Sequence, residues 1–185
     1  DVYFIDKTQI FSDVIQKYLS SDYPKNVIDA KKTIVALSSL GLEINNIVFD
    51  FMLASYVLNS SYTNGDLKTV FENFKPVSVP YHEEVYSKKT KYVIPEFEVY
   101  AKYGMSKVVA LKEIKTIIVK ELQEEGLYDL LKDIELPLAR VLAEIEVNGF
   151  KVNPKTLEEI RVGFNEKIEN SKNKIYELVG HEFNI

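Results

Sequence analysis

The sequence predicts an α/β layer followed by long helices, and three observations carry that reading. Short apolar runs alternate with amphipathic stretches three times within the first 58 residues, the order that builds sheets whose later strands run parallel. An amphipathic stretch then opens at Asn153–Pro154 and runs, with one polar gap, to Gly180. Hydrophobic residues make up 46% of the 185, enough for one good core and a second small one.

Val2–Ile5 is a β-prone run, and Asp6, Lys7 and Thr8 supply a turn and cap. Ile10, Phe11, Val14, Ile15, Tyr18 and Leu19 share one helical face, which the polar cluster Ser20–Pro24 ends. Val27 and Ile28 predict a brief buried strand leading to Asp29, and Ile34, Val35, Leu37 and Leu40 mark a helix closed by Gly41. Asn46–Phe49 is the third strand, with Asp50 at its carboxyl end and a strongly apolar helix starting at Phe51. A polar loop covers Asn59–Gly65, and Leu67, Val70, Phe71 and Phe74 form a short helix. Pro76–Pro95 has no sustained period and reads as a surface loop, with Lys88, Lys89 and Lys91 as solvated charges. From Pro95 onward, Phe97, Tyr100, Val108, Leu111, Ile114, Ile118 and Leu122 share a helical face that is expected to bend or break near Gly104 and to end at Gly126. Leu127–Ile134 adds a further amphipathic turn or two.

In the last third, Leu138, Val141, Leu142 and Ile145 predict a short helix packed on one side, with Pro137 at its first position and Gly149 after its last turn. Phe150, Lys151 and Val152 alternate as a short strand would. Asn153 and Pro154 are an N-cap and a first helical residue, and Leu157, Ile160, Phe164, Ile168, Ile175 and Leu178 step by threes and fours, with a polar gap at Ser171. Such a helix is roughly 40 Å long. It cannot fold back on itself, so its stripe needs a surface beyond the helix and is expected to be exposed and open to self-association.

Composition removes several classes of function. No apolar run approaches the roughly 18 residues of a membrane span, and the start lacks a signal-peptide pattern, so a soluble, cytoplasmic protein with no membrane partner is expected. Cysteine is absent, which excludes disulfides and thiolate zinc sites, and His82 and His181 are too few for histidine-rich metal sites. The formal charge of −5 argues against a general nucleic-acid clamp. Among single residues, Asp50 is the most suggestive. A carboxylate at the carboxyl end of a central strand is where open α/β sheets place ligands, although aspartate there serves more often as a helix N-cap. Tyr100 on an apolar helical face reads first as packing area.

Two stretches carry a resemblance. Glu135–Asn153 (ELPLARVLAEIEVNGFKVN), with the following long helix and Tyr176–Ile185 (YELVGHEFNI), resembles the junction in bacterial family A DNA polymerases, the DNA polymerase I family, where a proofreading-exonuclease-type domain passes into the polymerase domain. Gly41–Asn59 (GLEINNIVFDFMLASYVLN) is similar to the FDxxL segment of that exonuclease domain. The resemblance implies a truncated ribonuclease H-like (3′–5′ exonuclease-like) domain over residues 1–130, followed by the α-helical start of the polymerase domain, the base of the thumb, over residues 131–185. Active members of the family hold two metal ions through a carboxylate pair on the first strand, the FDxxL aspartate, and the aspartate of a Tyr-x-x-x-Asp motif. Two close cations need several hard oxygen ligands to offset their repulsion.

Asp50 matches the FDxxL aspartate. Tyr100 matches the motif tyrosine, but Gly104 stands at the aspartate position, and shifting the register to Tyr103 puts Lys107 there. Val2–Ile5 resembles the family's third strand, so the first-strand pair has no match in the chain. Asp29 aligns near a family Asn/Lys segment and is assigned no role. The resemblance thus implies a vestigial, inactive exonuclease-like domain without cofactor, within a magnesium-using, DNA-directed DNA polymerase of replication and repair. The implied partners are DNA, through the parent, and the remainder of the polymerase domain; self-association through helix 154–179 is a further expectation. Two rivals stand beside this reading: an active two-metal exonuclease with its first-strand ligands before Asp1, and a non-catalytic helical interaction module whose resemblance is accidental.

Overall fold

The computed structural model describes residues 1–6, 8–63, 66–86 and 93–184, in two compact units, Asp1–Asn148 and Gly149–Ile185. Lys7, Lys88, Lys89 and Lys91 lie outside the described residues. In the first unit, helix α1 (Asp13–Ser20) leads to strand β1 (Lys25–Val27), α2 (Ala30–Ser39), strand β2 (Ile47–Asp50) and α3 (Phe51–Leu58). The strands pair in parallel, Lys25 opposite Ile47 and Val27 opposite Asp50. A parallel pair needs a crossover, and α2 supplies it. That helix ends where Gly41 takes φ 73°. The turn lets Leu42 N–H bond back to Leu37 O at 2.9 Å and Gly41 N–H to Ser38 O at 3.0 Å, which satisfies carbonyls the helix leaves open.

Two hydrophobic clusters flank this layer. The larger joins Phe49, Phe51, Ala54, Phe71 and Val79 to Tyr103, Ala110, Ile114, Ile118 and Leu122 of α6 (Phe97–Glu124), with Leu131 beyond it. The smaller joins Leu37, Leu42 and Ile44 to Ile10, Leu19, Val27, Ile34 and Ile47. A short α4 (Leu67–Glu72) contributes Val70 and Phe71 to the interior.

Several expectations fail, each for a tertiary reason. Val2–Ile5 is not a strand. Its half-buried Phe4 sits edge-to-face on Phe97 and Tyr100, with centroids 5.5 and 5.4 Å away, so side-chain packing on α6 takes the place of sheet pairing. The Pro76–Pro95 segment is not wholly loop: it contains α5 (His82–Tyr86) and the buried Val79. Asp66 Oδ2 accepts the His82 N–H at 2.6 Å and Glu84 Oε2 accepts the Tyr81 N–H at 2.8 Å, so this helix start is capped partly from 16 residues away. α6 runs through Gly104 without a break, because the buried Ile114, Ile118 and Leu122 hold a helix far longer than one weak residue can interrupt. Its buried face near the start is Ala101 and Tyr103, while Phe97 and Val108 are exposed.

Pro137 does not open a helix. α7 (Tyr128–Leu130) passes through a π-type stretch, Leu131–Glu135, into α8 (Leu136–Asn148), and Leu136 N–H reaches back to Leu131 O. The widened turn comes just where proline, lacking an N–H and crowding the carbonyl four residues back, would strain a regular helix. The inner side of α8 is Ala139 and Ala143, against α2, whereas Leu138, Val141, Leu142 and Ile145 are 44–61% exposed. Small residues let two helix backbones approach closely, and that proximity overrides the larger apolar stripe.

In the second unit, Phe150–Val152 forms no strand, and α9 (Pro154–Val179) is the long helix expected. Asn153 Oδ1 accepts the Lys155 N–H at 3.1 Å, and Gly180, at φ 83°, closes the helix. None of its residues is buried; Leu157, Ile160, Phe164 and Ile168 are 48–61% exposed.

Candidate functional site

Parallel pairing puts the carboxyl ends of β1 and β2 side by side, and an aspartate follows each apolar run: Val27-Ile28-Asp29 and Val48-Phe49-Asp50. Each caps the helix after its strand. Asp29 Oδ1 accepts the Lys32 N–H at 2.9 Å. Asp50 Oδ1 accepts from Met52 N–H at 2.8 Å and Leu53 N–H at 3.1 Å. Its other oxygen, Oδ2, accepts the Ala30 N–H at 2.6 Å. One carboxylate therefore closes the N-termini of both α2 and α3, and it is only 1% exposed.

Burial pushes the Asp50 carboxyl up to about 6; the N–H groups of Ala30 and Leu53 pull it down, and the charge of Asp29 adds to the rise. All three described partners of Asp50 are donors, so the geometry favours the ion while the surroundings desolvate it.

Tyr100 and Gly104 lie on α6, in a different setting. Tyr100 is half-buried with its ring edge-to-face on Phe4 and Phe97, each centroid 5.4 Å away. A Cβ at position 104 would lie 3.6 Å from Phe4 Cε2. No described hydrogen bond or ring contact joins Asp50 to Tyr100. In the shifted register, Lys107 Nζ stands 3.8 Å from the centre of the Tyr103 ring, and burial lowers the lysine's pKa. Among the described residues, no three of His, Cys, Asp and Glu gather where they could hold a metal ion.

Two participants escaped the sequence reading. Phe4 gave no signal beyond β propensity. The bond from Ala30 had one: the repeated apolar-apolar-Asp pattern at two successive strand ends, which marks neighbouring caps once the strands are known to be parallel.

The POL domain of Pol1 from M. smegmatis, solved in complex with DNA primer-template and dNTP, has the same fold with a TM-score of 0.64 at 20% identity, over 92% of this chain and 27% of that one. Residues 1–114 match the family model for the DNA polymerase I, ribonuclease H-like domain, and the chain belongs to that family.

DNA polymerase I of Lactococcus lactis subsp. cremoris (strain MG1363) is 37% identical over 163 residues, 88% of this chain and 18% of the relative. That of Bacillus subtilis (strain 168) is 31% identical over 185 residues, 99% of this chain and 21% of the relative. The chain thus spans about a fifth of the length of these curated relatives. An accidental resemblance in a helical interaction module is set aside by the family match.

Proposed function

We propose that the chain is the part of a DNA-directed DNA polymerase in which an inactive exonuclease-like domain, residues 1–130, positions the start of the polymerase domain, residues 131–185. The single observation that carries the inactivity is the use already made of Asp50: its oxygens face three backbone N–H groups, and Gly104 offers no donor at the second matched position. Two magnesium ions close together require several hard oxygen ligands. The donors present do not fit such a centre, so magnesium belongs to the polymerase site of the parent. There it would offset charge developing on phosphate oxygens during nucleotide addition.

DNA is the proposed partner, engaged through the parent, and the placement is cytoplasmic. No helix among the described residues is long and apolar enough to cross a membrane. α9 would form the base of the thumb, its exposed apolar stripe meeting the remainder of the polymerase domain or, in isolation, a second copy.

The test is a nuclease assay on single-stranded DNA labelled at its 5′ end, with magnesium or manganese, for this chain and for the longer parent. No stepwise shortening from the 3′ end is expected from either. Shortening that disappears in Asp50→Ala would overturn the reading and favour a working exonuclease with further carboxylates elsewhere in the parent.

A further inference from the structure

Lys25, at the first position of β1, is 5% exposed and has no carboxylate among its described partners. Its Nζ donates to three main-chain carbonyls: Ser21 O at 2.8 Å, Tyr23 O at 2.9 Å and Asn45 O at 3.0 Å. Those are the three hydrogens an ammonium has to give. The ring of Tyr18 lies 5.2 Å from the same nitrogen. A buried charge is tolerated only when its polar partners replace water, and here backbone dipoles do so from two separate segments.

The surroundings extend the pattern. Leu19 O accepts the Asn45 N–H at 2.9 Å, and Ser20 O accepts Asn45 Nδ2 at 3.1 Å. Asp22 O accepts Asn46 Nδ2. With Ser21 O and Tyr23 O held by Lys25, five consecutive carbonyls, 19 through 23, are each bonded by one of three side chains or backbones: Lys25, Asn45 and Asn46. They run from the last turn of α1 past its end, where helix carbonyls are open and the dipole is negative, the place where a cation is most favoured. Asn46 takes φ 52°, a left-handed conformation asparagine tolerates, and its own carbonyl accepts the Lys25 N–H at 2.9 Å. On the far side, Arg140 of α8 donates from Nη2 to Ile44 O at 3.1 Å.

We propose that the carbonyls of Ser21, Tyr23 and Asn45 form a monovalent-cation site whose resident cation is the Lys25 ammonium, and that filling it fixes the position of β2 against β1 and α1. Three carbonyl oxygens at these distances suit an ammonium or an ion of potassium size. The site is independent of the reading of Asp50 and of any nuclease activity. Without the ammonium, three carbonyls and the carboxyl end of α1 face one another with no positive charge between them. The loop before β2 is then held to the end of α1 only by the bonds that Asn45 and Asn46 make to the carbonyls of Leu19, Ser20 and Asp22.

Chemical rescue tests this in the full chain. Lys25→Met keeps the apolar stem and removes the charge, and its thermal midpoint is expected to fall by about 5–10 °C, as the exposure of several unpaired buried acceptors implies. Lys25→Ala opens the cage, and its lost midpoint is expected to return in part on adding propylammonium chloride. Tetramethylammonium chloride at equal ionic strength, which has no N–H to donate, should not restore it. If Lys25→Ala does not fold, refolding yield with each salt gives the same comparison. A Lys25→Met protein as stable as the unsubstituted chain, or equal response to both salts, would overturn the proposal. Potassium chloride outperforming sodium chloride on Lys25→Ala, with no such difference in the unsubstituted chain, would support it.

Discussion

Asp50→Ala tests the double cap directly. Truncation removes the acceptor for Ala30 N–H and Leu53 N–H, while Met52 N–H keeps a second acceptor in Ile28 O at 3.0 Å. Losing a helix cap costs about 1 kcal/mol, and each buried N–H left unpaired adds roughly 1–3 kcal/mol. The carboxylate itself is desolvated near neutral pH, which offsets part of that loss. A net destabilisation of about 2–3 kcal/mol at pH 7 is therefore expected by urea unfolding, against about 1 kcal/mol for an exposed cap.

The pH dependence fixes the sign. With the folded carboxyl at about 6 and an ordinary value of 3.8, the folded state binds the proton more tightly. The stability this group contributes is fully present below the ordinary value and is lost as pH rises through about 6. The shift is worth on the order of 3 kcal/mol. The gap between the unsubstituted chain and Asp50→Ala should accordingly widen as pH falls from 7 toward 4. Asp50→Asn should show the unsubstituted chain gaining on it over the same window, because the amide does not titrate. Taking differences between variants cancels the other carboxylates. A gap that stays flat or narrows on acidification would refute the argument that burial outweighs the three N–H bonds. A cost below about 0.5 kcal/mol at every pH would refute the double cap.

Gly104→Ala should stabilise the chain by about 0.5–1 kcal/mol, since α6 is regular there and the new Cβ would meet Phe4 Cε2 at 3.6 Å, an ordinary contact; a lower melting temperature would show the site to be strained. Ala143→Leu should cost about 1–3 kcal/mol by forcing α8 away from α2, and urea unfolding would read it; a neutral result would mean that the two helices are not closely packed in solution. Phe164→Glu should leave the melting temperature within a degree or two, as roughly expected for an exposed site, while lowering any concentration-dependent association seen by sedimentation; association unchanged by the substitution would exclude the α9 stripe as the contact.

What the sequence determined by itself was local. The two strands, the helices around them, and the ends at Gly41, Gly126 and Gly180 were legible because caps and turns depend on residues within about four positions of one another. Asp50 was legible both as a helix cap and as the match to a ligand position. The family likeness was carried by two contiguous stretches.

Tertiary structure decided which surfaces face inward and what the carboxylate does. α8 has two stripes, and the sequence favoured the larger one, Leu138, Val141, Leu142 and Ile145. The chain buries Ala139 and Ala143 instead, because α2, a hundred residues earlier, can approach only where side chains are small. α5 is a helix because Asp66 reaches its first turn. Asp50 became a bridge between two helices only when parallel pairing set Val27 opposite it and brought the Ala30 N–H within 2.6 Å. These outcomes depend on partners remote in sequence. Periodicity names the faces a helix could bury, but only the competition between distant surfaces selects one.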